Sequence, residues 1–148
     1  MDVKELARVA AGRHGIDPEL VAAVIATESS WDAWSVRYED GFYHRYIDSM
    51  TGLTATEKRL RATSFGLMQV MGQTAREFGF SEKWLTQLCS PEMGIEYGCR
   101  KLAACLKLEN GDVRAGLLRY NGGGDPGYPD RVLKNKQEAN DGGKRTDE

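Results

Sequence analysis

The chain has 148 residues, of which 41% are hydrophobic and 28% charged; this is the composition of one globular domain and leaves too little mass for two substantial ones. Twenty Lys and Arg against 22 Asp and Glu give a formal net charge of −2, which argues against a nucleic-acid-binding protein because such proteins carry a strong basic excess. No stretch approaches the roughly 20 apolar residues of a membrane span.

The cysteine and histidine content is low. Cys89, Cys99 and Cys105 form an odd, sparse set that does not resemble a disulfide framework. With only two histidines, no cluster has the spacing of a zinc site, so we expect buried, reduced thiols and no metal. Residues 1–6 lack the apolar region of a signal peptide. We therefore expect the chain to begin in the cytoplasm, or to be a domain of a longer protein.

The predicted elements of the first half are helical. Apolar residues at i, i+3, i+4 and i+7 from Val3 predict a first amphipathic helix. Asp17 as N-cap and Pro18 at the first position start a second helix, which we extend to about Ser29. Residues 37–61 are polar, aromatic and interrupted by glycines. We interpret them as a long loop with room for one helical turn near Glu57 to Leu60 and for a small hairpin.

The second half continues the helical pattern. Residues 64–70 lead into a helix, Pro91 opens the longest one, and Asp112 caps the next. A last helix starts near Pro129. These elements predict a mainly α fold.

We place a single domain at residues 1–138 and expect a monomer. The remaining residues, 139–148, are rich in glycine and charge. Such a composition cannot bury enough apolar surface to order the chain, so we expect a disordered tail there.

One acidic residue interrupts an apolar pattern. Leu20, Val24 and Glu28 lie at i, i+4 and i+8, so the carboxylate falls on the apolar side of a helix, in its last turn. Partial desolvation and the negative end of the helix dipole would both raise its pKa. A proton held near neutral pH is what a general acid needs. The pattern alone leaves open a solvated Glu28 or one paired with an arginine.

Four short motifs follow one another along the chain. They are Glu28-Ser29, Gly66-Leu67-Met68-Gln69, the helix led by Pro91, and Tyr120-Asn121-Gly122 with Tyr128 behind it. In this order they resemble the lytic transglycosylase (SLT) domain of the goose-type-lysozyme-like superfamily, over about residues 6–133. The resemblance implies a lysozyme-like helical fold and an enzyme that degrades peptidoglycan, as bacteriophage endolysins do.

The resemblance also implies roles for the residues around the predicted acid. Glu28 would be the catalytic acid and base, and Ser29 would support the helix end and the substrate. Tyr120 would donate a hydrogen bond to Glu28 or the scissile region. Asn121 would hold its turn, and Tyr128 would close the wall of the cleft.

The second motif is implied to contact the sugar. Gly66 and Leu67 would let the backbone approach it, Met68 would line the floor of the cleft, and Gln69 would bind near an N-acetyl group. The segment before this motif is longer than the compact family pattern. Residues 37–61 therefore resemble an insertion of the kind found in phage lysins.

The implied reaction needs one carboxylate and no cofactor. Glu28 would cleave the β-1,4 bond between MurNAc and GlcNAc and leave a 1,6-anhydro-MurNAc end. The alternative is a hydrolytic lysozyme, which needs a second carboxylate. The candidates for it are Asp32, Glu39, Asp40, Glu57 and Asp125.

A further alternative is a non-catalytic glycan-binding module of a virion. The expected partner in every case is the glycan strand of peptidoglycan, with no nucleic acid. A wall-degrading protein without a leader would be made in the host cytoplasm and reach the wall through holin lesions, or act as part of a virion protein.

Overall fold

The computed structural model describes residues 1–145, with side chains described up to residue 142. The α-helices are α1 (Val3–Arg13), α2 (Pro18–Ser29), α3 (Asp40–Phe42), α4 (Ala55–Arg61), α5 (Gly72–Glu77), α6 (Pro91–Leu108), α7 (Val113–Asn121) and α8 (Tyr128–Arg145). A π-helical turn at Tyr43–Ile47 follows α3, and a 3₁₀ helix at Leu85–Cys89 precedes α6. The strands are β1 (Val36–Tyr38), β2 (Thr63–Phe65) and β3 (Val70–Met71). The predicted mainly α fold is confirmed.

Helix starts follow local sequence signals. The Asp17 carboxylate accepts a hydrogen bond from the Glu19 N–H at the start of α2, and Asp112 accepts one from the Ala115 N–H at the start of α7. Such caps satisfy backbone donors that a helix end leaves without partners. Pro91 lies in the first turn of α6, as predicted.

The core is built around α6, which packs against α1, α7 and β3. Its residues Ile95, Cys99 and Leu102 are buried, as their spacing predicts. On one side α2 packs against both α1 and α8. All three cysteines are buried free thiols, as expected. Over the described part of the chain, no helix combines the length and the apolar character needed to cross a membrane.

The small sheet joins the two ends of the middle segment. Its strand order is β1-β2-β3, with antiparallel pairing throughout. Ser64 on β2 lies opposite Arg37 on one side and Met71 on the other. Residues 66–69 form the turn between β2 and β3, so the second motif is the tip of a hairpin.

In the segment 37–61, α4 confirms the helical turn expected near Glu57–Leu60, whereas the rest is more ordered than the expected long loop. The segment contains α3, the π-helical turn and α4, and the hairpin lies after it, between β2 and β3. Tyr43, Ile47 and Ala62 form a small buried cluster of their own. The few apolar residues of this segment are surrounded by polar residues and glycines, so the sequence shows no clear helical periodicity. The helices are stabilised by packing in this cluster.

The C-terminal segment differs as well. Helix α8 continues through Arg145, so residues 139–145 are helical rather than a disordered tail. Lys136 of α8 pairs with Asp17 at a distance of 3.0 Å, and α8 packs against α2. Residues 146–148 of the expected tail lie outside the described residues.

Candidate active site

Glu28 lies in the last turn of α2, directly before an abrupt change in backbone direction. Ser30 and Trp31 have φ angles of 52° and 66°, a left-handed conformation that non-glycine residues keep only where the surrounding structure enforces it. The Ser30 N–H donates to the Ala26 carbonyl at 3.1 Å. The helix therefore ends within two residues of the carboxylate.

Two hydroxyl groups hold the turn of the β2–β3 hairpin beside this helix end. The Ser29 hydroxyl donates to the Leu67 carbonyl at 2.8 Å and lies 3.1 Å from the Ile25 carbonyl of its own helix. The Tyr120 hydroxyl donates to the next carbonyl of the turn, that of Met68, at 2.6 Å. Helices α2 and α7 thus fix the hairpin turn relative to Glu28.

The hydrogen bond to Glu28 comes from Tyr128 on α8. The Tyr128 hydroxyl donates to Glu28 Oε1 at 2.7 Å, and its side chain is 2% exposed. Tyr120, expected to bond to Glu28 or to the scissile region, donates to the Met68 carbonyl instead of to Glu28. Tyr128 therefore contacts the carboxylate directly, but it is not one of the residues that line the cleft onto which Glu28 opens.

The environment of Glu28 favours its protonated form. Burial raises the pKa of Glu28 above its usual range, although the hydrogen bond from Tyr128 and the positive charges of Lys101, Arg131 and Arg37 oppose the rise. Burial beside the Glu28 charge also raises the pKa of Tyr128, so its hydroxyl stays protonated and remains a donor. The carboxyl of Glu28 holds a proton at higher pH than an exposed glutamate does.

Glu28 opens onto a cleft of about 340 Å³. The cleft is lined by the end of α2, by the sheet and α3, and by α6 and α7. The lining residues are Glu28, Arg37, Glu39, Phe42, Ser64, Gln69, Met71, Lys101, Tyr120 and Asn121. Charged and aromatic groups from four parts of the chain thus meet at one carboxylate.

Gln69 is the member of the second motif that lines the cleft. Its side-chain amide nitrogen donates to the Ser35 and Gly66 carbonyls, both at 2.9 Å. These bonds hold the side chain against the hairpin. Its side-chain oxygen has no hydrogen-bond partner within the described residues and is available to a ligand.

The side chains of the other members of this motif pack inside the protein, and the sugar contacts expected of them remain a prediction. Leu67 and Met68 are 1% and 0% exposed, and a Cβ at Gly98 of α6 would overlap Met68. Gly66 has a φ of +75°, and a Cβ there would lie 2.6 Å from the Leu88 carbonyl oxygen. The structure therefore requires glycine at this position for contact with its own chain.

Of the candidates for a second carboxylate, Glu39 lines the cleft. Its Oε1 lies 3.0 Å from Arg37 Nε, and both residues follow or belong to β1. Asp32 accepts a hydrogen bond from the Trp34 N–H at 2.9 Å and closes the turn after α2. It is not part of the cleft lining.

The remaining candidates lie in other contacts. Glu57 accepts a hydrogen bond from Arg76 at 2.7 Å, and Asp125 pairs with Arg131 at 2.6 Å. Asp40 is exposed, with His44 at 3.3 Å. None of the three lines the cleft around Glu28.

Lys101 is a cleft residue that was not predicted from the sequence. This residue lines the cleft, and its Nζ lies 4.2 Å from the centre of the Tyr120 ring. A signal for it existed, because Gly94, Gly98, Lys101 and Cys105 share one face of α6 at spacings of four, three and four residues. A lysine on a helix face whose other residues are small and buried indicates a charge that is partly removed from solvent.

Comparison with known proteins identifies related sequences. The family described as "Transglycosylase SLT domain" matches residues 5–146. A protein named "Transglycosylase" from Enterobacteria phage PRD1 is 31% identical over 134 residues, which is 85% of this chain and 40% of the relative. The chain thus spans about two fifths of the length of that relative. No solved structure matches the chain significantly.

Proposed function

Because the chain belongs to the transglycosylase SLT domain family, we propose that it degrades peptidoglycan by cleaving the β-1,4 bond between MurNAc and GlcNAc, with Glu28 as the single acid and base. The observation that carries this proposal is the state of Glu28. Its carboxyl faces an open cleft, Tyr128 holds one of its oxygens, and burial raises its pKa. These are the properties of a general acid.

The first step is protonation of the leaving group. Tyr128 occupies Oε1, so Oε2 carries the proton of the neutral carboxyl. Glu28 gives this proton to the glycosidic oxygen, the bond from MurNAc C1 breaks, and GlcNAc departs with its 4-hydroxyl. The positive charge that develops at C1 is relieved by the 2-acetamido oxygen of the substrate itself.

The second step returns the proton. The Glu28 carboxylate, stabilised by the Tyr128 hydroxyl, removes the proton of the MurNAc 6-hydroxyl while that oxygen attacks C1. A 1,6-anhydro ring closes, no water is consumed, and Glu28 ends protonated as it began. The hydrogen bond from Tyr128 is stronger to the carboxylate than to the neutral acid, so it favours the intermediate between the two steps.

The cleft offers groups suited to an amino sugar. The uncommitted side-chain oxygen of Gln69 can accept a hydrogen bond from an N-acetyl N–H, and Asn121 supplies a further amide. Phe42 provides an apolar surface. Apolar faces with a few held polar groups are typical of small-ligand sites.

One observation favours a second candidate, hydrolysis. Glu39 lines the same cleft as Glu28 and lies beside Arg37. A carboxylate there could direct a water molecule to C1, as in a lysozyme. The two reactions share the bond that is cleaved and differ in the new end of the glycan strand.

Mass spectrometry of the fragments released from purified peptidoglycan tests the proposal. We expect products one water lighter than reducing fragments, and no products from Glu28→Gln. Glu5→Gln, an exposed change on α1, is the matched control and should behave like the unaltered protein. Reducing ends would favour hydrolysis, and wall binding without any fragments would favour a non-catalytic glycan-binding module.

A further inference from the structure

The cleft around Glu28 contains an unpaired cation. Lys101 is largely buried, and none of the carboxylates described in the structure lies within ion-pair distance of its Nζ. The other basic residue of the cleft, Arg37, is paired with Glu39 at 3.0 Å. Within the described residues every buried side-chain nitrogen or oxygen has a hydrogen-bond partner, and none is found for Lys101 Nζ. This nitrogen therefore keeps some exposed surface, and Lys101 is one of the residues that line the cleft.

Three groups face the Lys101 ammonium from the helices packed around it. They are the Tyr120 ring on α7 at 4.2 Å, Cys105 one turn further along α6, and Glu28 on α2. Burial lowers the pKa of Lys101, while Cys105 and Glu28 oppose this. Burial also raises the pKa of the Cys105 thiol, so that thiol is neutral near pH 7. Glu28 is thus the nearby source of negative charge.

The negative charge of Glu28 is absent when the proposed reaction begins, because Glu28 must then carry a proton. A partly desolvated ammonium without an anion is costly. The glycan backbone of peptidoglycan is neutral apart from the lactyl group of MurNAc, which ends in a carboxylate or is extended by a peptide that carries carboxylates. An anion from the substrate would compensate Lys101 in the protonated enzyme.

We propose that Lys101 is a binding residue for a carboxylate of the substrate, on the MurNAc lactyl group or on the peptide attached to it. The inference rests on the proposed function, since it presumes that a muramyl glycan occupies the cleft. It assigns to Lys101 a preference for charged over neutral glycans. Lys101 lines the cleft beside Glu28, and its Nζ lies 4.2 Å from the centre of the Tyr120 ring, which lines the same cleft.

Calorimetric binding to the full chain carrying Glu28→Gln tests the inference without turnover. The ligands are a GlcNAc–MurNAc tetrasaccharide with free lactyl carboxylates, its lactyl carboxamide, the same glycan bearing a short acidic peptide, and chitotetraose. We expect the free acid to bind about 10-fold more tightly than the carboxamide, the size of one charge-assisted hydrogen bond. If the carboxylate that Lys101 binds belongs to the peptide, the peptide-bearing glycan should instead bind about 10-fold more tightly than the carboxamide.

Lys101→Met keeps the aliphatic stem on Tyr120 and should remove the preference for the charged glycan, whereas Lys101→Arg should retain part of it. Lys107→Met, on an exposed position of the same helix, is the matched control and should keep the full preference. Equal binding of the charged and neutral glycans before any change at Lys101 would overturn the inference and leave the proposed function standing. If no glycan binds, chitotetraose included, the proposed function fails and this inference with it.

Discussion

The Tyr128 hydroxyl donates a hydrogen bond of 2.7 Å to Glu28 Oε1, between residues 100 positions apart in the chain. The bond joins the start of α8 to the end of α2, where the Glu28 carboxylate lies. A second bond, from Asn135 to Thr27 Oγ1 at 2.8 Å, ties the same two helices. The position of the proposed acid therefore depends on packing of the last helix.

Tyr128→Phe should lower activity about 10- to 100-fold, because the hydrogen bond stabilises the Glu28 carboxylate formed in the first step. In the proposed mechanism Glu28 must be protonated to react, so we expect activity to fall as the pH rises through its pKa. The hydrogen bond from Tyr128 lowers the pKa of Glu28. Loss of this bond should therefore move the alkaline limb of the pH–activity profile to higher pH. The rate at which a peptidoglycan suspension loses turbidity, measured across pH for both proteins, checks the shift.

Tyr97→Phe is the control for that experiment. The Tyr97 ring packs against Phe80 and Arg100, outside the cleft. This change should leave the alkaline limb where it is. An unshifted limb in Tyr128→Phe would contradict the role assigned to the bond.

Glu28→Gln should stabilise the fold near neutral pH while abolishing activity. Burial raises the pKa of Glu28, so native stability from this residue is lost as the pH rises through the native pKa. We expect a higher Tm than the unaltered protein at about pH 7, and no difference at about pH 3.5, where the carboxyl is neutral in both states.

Glu57→Gln should have the opposite effect. Burial alone would raise the pKa of Glu57, but its bonds to Arg76 and Arg61 lower it overall, so ionised Glu57 stabilises the fold above its unfolded pKa. Thermal melts at the two pH values compare the variants. For Glu28→Gln, a Tm below that of the unaltered protein near pH 7 would contradict the prediction that ionised Glu28 destabilises the fold.

Glu39→Gln distinguishes the two reactions. If Glu28 acts alone, this variant should retain activity within about tenfold, since Glu39 contributes only to the charge of the cleft. Its products should still end in anhydro-MurNAc by mass spectrometry. Loss of turnover comparable to that in Glu28→Gln would favour a lysozyme with Glu39 as its second carboxylate.

Gly66→Ala should destabilise the fold by about 2–4 kcal/mol, which combines left-handed strain with overpacking against Leu88. Gly15→Ala has a similar φ of +65° but open space around it, so it should cost about 1 kcal/mol. Urea unfolding measures both. Equal losses would mean that the contact with the Leu88 carbonyl is not decisive.

The thiols should be inert in the native protein. Burial raises the pKa of Cys99 to about 12, with a further contribution from the Glu96 charge, and the side chain has no exposed surface. A thiol reagent such as dithionitrobenzoate should not react with Cys99 until the protein unfolds. Rapid labelling of Cys99 in the folded protein, located by peptide mapping, would show that the core around α6 opens readily.

Much of the helical framework was predictable because it depends on neighbours in sequence. The caps at Asp17 and Asp112 and the stripe of α6 act over one or two turns, and the structure bears them out. The strands were missed because strands of two or three residues carry almost no periodic signal. The helices within residues 37–61 depend on a small cluster around Tyr43 and Ile47 that only packing creates.

The sequence by itself determined that Glu28 lies on the apolar face of α2, since residues four apart in a helix share a face whatever the rest of the chain does. Only the tertiary structure decided which tyrosine reaches it, which acid lines its cleft, and that Lys101 enters that cleft. The resemblance implied Tyr120 as the donor and Tyr128 as part of the cleft wall, and it is Tyr128 that donates to Glu28. Glu39 and Glu57 were both candidates for a second carboxylate. Their roles depend on contacts between distant segments, which local periodicity does not encode.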